Sequence, residues 1–388
     1  MKKIIHFFTL FPFLALIGGP LLSITLGNSI NIYFSDIIVF AAFIYCAINR
    51  KGIVKVIRTE SVIIKVFFLF STVLFLSLIF SPLHLTINER VISGLYLCRF
   101  FLYFSIFIAF KLLFIKKAIK PIYITNSLII TGLVLSIIGW IQYFLYPDLR
   151  NLMYLGWDPH YMRIFSTYFD PNYLGLILVL TLISLSTITN SVKKWIIGCL
   201  LVITLAFTYS RSSFLSLFFI SVINLIFKKK WMTTALVGAV FIILLLLLPR
   251  PLGNESVKLE RIFTLTERVT QWKEAGDIIS NYPILGVGFN TLRFARRNLS
   301  LTSAEFLMGH SGAGVDNSFL FIGVTSGIIG LLSFIFLLII LFIKISYTAK
   351  LILGAILIHG FFLNSFFLPF VMMWFWLVIA DSKVEKSI

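Results

Sequence analysis

Runs of about twenty apolar residues recur along the whole chain, and they decide most of what it can fold into. Hydrocarbon offers no partner to a backbone N–H or C=O, so such a run crosses lipid as a helix, whose backbone bonds close within the segment. The composition agrees: 59% of residues are hydrophobic and 12% charged, against roughly half and a quarter in a soluble domain. The expected fold class is an all-α polytopic integral membrane protein. Spans are expected near 4–26, 30–49, 61–80, 91–110, 121–146, 171–190, 195–209, 213–227, 232–248, 316–343, 351–364 and 368–380. That makes about twelve helices in a single transmembrane domain over residues 1–388. Met1-Lys2-Lys3 and the run after it read as the first span and not as a leader, because no small-residue cleavage pattern follows.

The formal charge of +18 would suggest nucleic acid in a soluble chain. Here the cations sit between the runs, and they alternate. Starting from Lys2 and Lys3, every second connection is basic: Arg50, Lys51, Lys55 and Arg58, then Lys111, Lys116, Lys117 and Lys120, then Lys193 and Lys194. The series continues through Lys228–Lys230, Lys344 and Lys350, to Lys383 and Lys386. The positive-inside bias accounts for this pattern, so both termini are expected in the cytoplasm and nucleic acid is not expected as a partner. Cys46, Cys98 and Cys199 all fall within apolar runs, without metal-ligand spacing, and read as small buried hydrophobes.

The connections of the other parity differ in kind. Residues 147–170 form a polar, aromatic loop, and residues 249–315 a much longer one, the large periplasmic loop of this reading. Loops this long are usually functional. Within the second, Ile262, Val269, Trp272, Ala275 and Ile279 recur near helical spacing, Thr264 and Glu267 resemble a capping box, and Asn281-Tyr282-Pro283 ends the helix. This amphipathic helix is expected flat on the outer leaflet or packed over the bundle.

No phosphate-binding glycine loop with a lysine, no His/Cys cluster and no Asp-x-Asp pair is present. Neither metal nor cofactor is expected. What remains on the outer side is arginine: Arg163, Arg211, Arg268, and Arg293, Arg296 and Arg297 after the Gly286-Val287-Gly288 turn. Arg211 stands out because its connection is only a few residues long, where the positive-inside bias is strong. Arg99 falls inside a span, where a charge must snorkel, pair or meet water. Asp36 is a candidate partner, and a pinning ion pair weighs evenly with a functional role. The planar guanidinium grips phosphate oxygens with paired donors, so a lipid diphosphate suits this constellation. Asp316 and His310 are the leading general-base candidates on that side, ahead of Asp170, His160 and Asp158. Asp316 also stands where a helix N-cap is expected. His359, within a span, reads as a packed or hydrogen-bonded residue.

Three segments together resemble the O-antigen ligase/polymerase family of polytopic membrane glycosyltransferases. They are Asp170-Pro171-Asn172-Tyr173-Leu174-Gly175, then Tyr209-Ser210-Arg211-Ser212, then Asn281 to Gly288 followed by Asp316-Asn317-Ser318-Phe319-Leu320 and Gly327-Ile328-Ile329-Gly330. The resemblance implies a metal-independent enzyme of the bacterial inner membrane that works on its periplasmic face. The donor would be an undecaprenyl-diphosphate-linked oligosaccharide. A polymerase passes the chain to another lipid-linked repeat unit, and a ligase passes it to lipid A-core. On this resemblance Arg211 and Arg268 hold the donor diphosphate, with Arg163 at the acceptor or donor entrance. Arg99, below them in its span, is counted with the same diphosphate-binding set, and Asn172 and Asn317 are expected to position substrate. Membrane lipids and a chain-length regulator are the further partners implied. The ligase pattern has His where this chain has Asp316, which tilts the reading toward a polymerase. From another class, a glycolipid flippase or secondary transporter would explain Asp36, Arg99 and the bundle. Such proteins often carry related halves with broken helices, and no such repeat is visible here.

Overall fold

The computed structural model describes residues 2–26, 30–189, 191–228, 238, 241–242, 245–249, 257, 263–298 and 314–381. The first nine helices are α1 (Lys2–Gly18), α2 (Phe34–Ile48), α3 (Arg50–Thr59), α4 (Ser61–Ile79), α5 (Ile87–Ile115), α6 (Pro121–Leu145), α7 (Pro171–Ser186), α8 (Val192–Phe207) and α9 (Arg211–Lys228). After these come α10 (Phe263–Asn281), α11 (Leu292–Asn298), α12 (Ser318–Lys344), α13 (Tyr347–Gly360) and α14 (Pro369–Asp381).

Among the described residues α4, α5, α6 and α12 are long and apolar enough to cross a membrane, and α7, α9, α13 and α14 are shorter apolar helices. This is a multi-pass helical membrane protein. More than half of the expected span 232–248 lies outside the described residues.

The start of the chain departs from the expected spans. α1 ends at Gly18, and the chain then enters an antiparallel hairpin, β1 (Ser23–Leu26) with β2 (Ile30–Tyr33), in the register Ser23 to Tyr33. Hydropathy did not separate this hairpin from the helices beside it, because Ile24, Leu26, Ile30 and Ile32 are as apolar as a span. The basic connection 50–59 also has its own structure. It folds as α3, bent by 98° from α2, with Ile53, Val56 and Ile57 at helical spacing between the cations. That amphipathic pattern favours an apolar–water boundary. Cys46 is buried as expected, but Cys98 and Cys199 are exposed on their helices. A lipid-facing surface is as apolar as a core, so a small hydrophobe on a span can face either way.

The chain forms two compact units. The first comprises Met1–Leu22, Pro121–Ile262 and Tyr347–His359; the second comprises Ser23–Lys120, Phe263–Ser346 and Gly360–Ile388. In the first, α6 packs on α1, α7 and α8, and α7 packs on α9. In the second, α4 lies along α12, and α5 lies along α2 and α14. Phe67 of α4 stacks on Phe104 of α5 with ring centroids 3.9 Å apart, and Trp376 of α14 meets both rings edge-on.

α12 is not continuous. Gly327 sits at φ 63°, ψ −165° inside it, which breaks the helical ladder. The segment 283–288 repairs the break. Val287 N donates to Val324 O (2.9 Å), Gly288 N to Thr325 O (3.0 Å) and Ile328 N to Pro283 O (2.8 Å). The approach is so close that a Cβ on Gly327 would lie 2.2 Å from Ile284 O, and one on Gly286 2.3 Å from Val324 O. Interrupted backbone within a span is tolerated where protein supplies the missing partners, and here it does. The third sequence segment of interest is therefore a single structural joint.

Candidate functional site

In the first unit the other two segments meet. Asp170 caps α7: its Oδ1 accepts from Asn172 N at 2.7 Å, and Pro171 occupies the first turn. Proline there forfeits no helical bond, because the first N–H groups of a helix have no intrahelical partner. Asn172 O in turn accepts from Ser213 Oγ at 3.1 Å, at the start of α9. Gly175 permits this approach, since a Cβ there would fall 2.6 Å from Ser213 Oγ. Arg211, partly exposed, is the first residue of α9. The turn before it is tight: Tyr209 has φ 50° and is buried, with its hydroxyl donating to Pro249 O at 2.6 Å.

Arg163 holds the other side of that turn. It is 2% exposed, its Nε donates to Thr208 O at 2.8 Å, and its guanidinium reaches His160 Nδ1 (3.3 Å) and Asn172 Oδ1 (3.4 Å). A side chain this committed acts on the site through the backbone of residues 208–211 and through Asn172. Gln142, which no motif singles out, organises the loop itself. Its Oε1 accepts from Phe165 N (2.9 Å) and Ser166 N (3.2 Å), and its Nε2 donates to Arg163 O (3.3 Å). Desolvation pushes the Asp170 carboxyl up from its usual 3.8 to about 6, and the Asp158 carboxylate adds to the rise.

In the second unit two other candidates meet. Arg268 on α10 forms an ion pair with Asp316, Nε to Oδ2 at 3.5 Å. The backbone N–H of Asp316 donates to Gln271 Oε1, one helical turn along from Arg268 (3.3 Å). The sequence suggests Asp316 as the helix cap, but Asn317 fills that place. Its Oδ1 accepts from Phe319 N (2.8 Å) and Leu320 N (3.0 Å). Both residue types cap well, so the sequence alone could not choose between neighbours. The shift by one residue leaves the Asp316 carboxylate directed at an arginine and Asn317 occupied with its own helix.

α10 is present over the expected stretch, but its buried face is narrower. Ala275 and Ile278 are buried against Leu83, Val287, Leu292 and Val324, with Ile279 packed beside them, whereas Val269 and Trp272 are exposed. The side chains of Ile262, Thr264 and Glu267 lie outside the described residues, as does all of His310.

Three of the remaining arginines have structural partners. Arg99 pairs with Asp36 at 2.8 Å, donates to Asn31 O, and lies over the rings of Tyr33 and Tyr96. This is the pinning pair weighed from the sequence, joining α5 to the hairpin and to the start of α2. Arg296 is fully buried and bidentate on Glu274 (2.7 and 3.2 Å), with Gly314 O at 3.0 Å. Arg297 pairs with Glu89 at the start of α5. These two arginines tie the long loop down within its own unit.

Among the described residues, no three His, Cys, Asp or Glu side chains gather as a metal site would need. Chemically, the first unit offers a guanidinium at a helix N-terminus, and the second, taken by itself, offers a carboxylate paired with a guanidinium. No curated protein matches the chain. A family model described as O-antigen ligase matches residues 196–335, a segment that runs from α8 through Arg211, Arg268, Asp316 and the Gly327 joint. In that segment the chain is similar to the O-antigen ligase family.

Proposed function

We propose that the protein is a repeat-unit polymerase, a membrane glycosyltransferase that moves an undecaprenyl-diphosphate-linked glycan onto a second lipid-linked unit at the periplasmic face of the inner membrane. The observation that carries this reading is Arg211. Two sequence segments far apart in the chain combine to present one arginine at the N-terminus of α9, where backbone N–H groups also favour an anion. Charge builds on the diphosphate as the glycosidic bond breaks, and donors fixed in advance stabilise it. Arg211 and Arg268 are assigned to the diphosphate, and Asp316 to the proton of the acceptor hydroxyl. Arg163 and Asn172 set the geometry of Arg211, and Asn317 that of Asp316. Arg99 stays with Asp36, outside the clamp.

A carboxylate at position 316, where the ligase pattern has His, favours polymerase over ligase. The family description favours the ligase. Deleting the gene separates them: single repeat units on lipid A-core mean a polymerase, and bare lipid A-core means a ligase. Complementing the deletion with Arg211→Ala should restore inserted protein but no chain extension, a loss of about a hundredfold or more. Arg211→Lys should rescue poorly, because one ammonium cannot replace a fork of paired donors. Full extension by Arg211→Ala would end the clamp assignment. Binding of lipid-linked oligosaccharide without lengthening it would favour a transporter instead.

A further inference from the structure

His359 is a fully buried histidine on α13, and no step above uses it. Its Nε2 lies 3.0 Å from Ser212 Oγ and 3.2 Å from Asn172 O. A carbonyl oxygen only accepts, so Nε2 carries the proton. The serines around it then have a single consistent order. Ser213 Oγ donates to Asn172 O, so Ser210 Oγ donates to Ser213 (2.9 Å) and Ser212 Oγ donates to Ser210 (3.3 Å). With its own proton spent, Ser212 accepts from His359. The hydroxyls on both sides of Arg211 thus belong to one directed chain that starts at His359 and closes on Asn172 O.

We propose that His359 is a positioning residue for Arg211: its Nε2–H fixes Ser212 and Asn172, and through them the first turn of α9, so that the Arg211 guanidinium is held ready for a diphosphate. The inference rests on the assignment of Arg211 to the diphosphate. It explains why a strongly polar ring lies within an apolar helix where any hydrocarbon side chain would pack without needing a partner. It also gives the two halves of the Arg211 turn separate supports, Arg163 before it and His359 after it.

The test is binding of farnesyl diphosphate to the full-length protein in detergent, with thermal unfolding measured in parallel. His359→Gln retains an N–H at the reach of Nε2 and should bind within about threefold of wild type. His359→Leu should weaken binding about tenfold or more, and Ser212→Ala, which breaks the same link without touching α13, should weaken it in the same direction. Each of these losses is small against the span of affinity that misplacing a binding group can cost. Combining His359→Leu with Arg211→Ala should bind no more weakly than Arg211→Ala alone, because the histidine acts only through the arginine. Losses that multiply would overturn the proposal, as would wild-type binding by both His359→Leu and Ser212→Ala. Should His359→Leu not fold, Ser212→Ala and the Gln variant decide the matter by the same criteria. Wild-type binding by Arg211→Ala would instead remove the diphosphate assignment itself, and this inference with it.

Discussion

Asp316 shows how much a single position in register can change. As a helix cap, its carboxylate would be spent on backbone N–H groups; with Asn317 as the cap, it faces Arg268 instead. An incoming diphosphate competes with Asp316 for Arg268, and displacing the carboxylate would free it to take the acceptor's proton. Asp316→Asn should therefore bind a polyprenyl diphosphate a few-fold more tightly, in keeping with a partly exposed pair contributing about 1 kcal/mol or less. It should also lose chain extension by about a hundredfold or more. The helix should be unaffected, since the cap is a different side chain. Extension at the wild-type rate would dismiss Asp316 as the base. The residue types of the site, arginines with a nearby carboxylate, were legible in the sequence. Their partners were not, because the pairs Arg268–Asp316, Arg296–Glu274 and Arg297–Glu89 join positions between 22 and 208 residues apart. For Arg99 alone, an ion pair inside apolar runs, the candidate partner could be named in advance.

At the level of elements, the helices were legible because lipid leaves a long apolar segment few alternatives. The failures came where that constraint relaxes. The hairpin 23–33 follows a short α1, and apolar residues in a strand look the same to hydropathy as apolar residues in a helix. The break in α12 was visible only as glycines at 286, 288 and 327, whose purpose depends on contact between two segments about forty residues apart. Gly327→Ala is the sharpest test of that joint. It adds a Cβ at a φ of 63° and within 2.2 Å of Ile284 O, which is backbone and cannot turn aside. The variant should lose at least several kcal/mol of stability, in the range reserved for backbone strain combined with overpacking. Folded yield in detergent and the thermal midpoint would show it, and a wild-type midpoint would mean that the joint opens freely. An alanine at Gly94, where a Cβ meets nothing within 4 Å, is the matching control.

On the scale of the molecule, charge carried the most information for the fewest residues. The alternation of basic connections yields an expected orientation, with the lysine-rich connections in the cytoplasm, that no single span could suggest. In a variant with Cys46, Cys98 and Cys199 replaced, a cysteine at Lys55 should resist a membrane-impermeant maleimide in spheroplasts, and one at Asp158 should react. The opposite pattern would invert the topology and remove the periplasmic assignment. Helicity and membrane residence follow from composition, but the division into two units does not. The first unit collects residues from three stretches of the chain and so does the second, an arrangement that only packing reveals.

The joint at Gly327 has a consequence for how such a sequence drifts over evolutionary time. Its ties run from one main chain to another, Val287 to Val324 and Ile328 to Pro283 among them. Most side chains along both segments are thus spectators to the bond that joins them. Mutation can rewrite Ile284, Leu285, Ile328 or Ile329 among apolar residues and leave the fastening intact, provided the glycines stay. A protein fastened in this way can diverge until few individual letters match its relatives, while the spacing of its glycines still marks the place where the chain is locked.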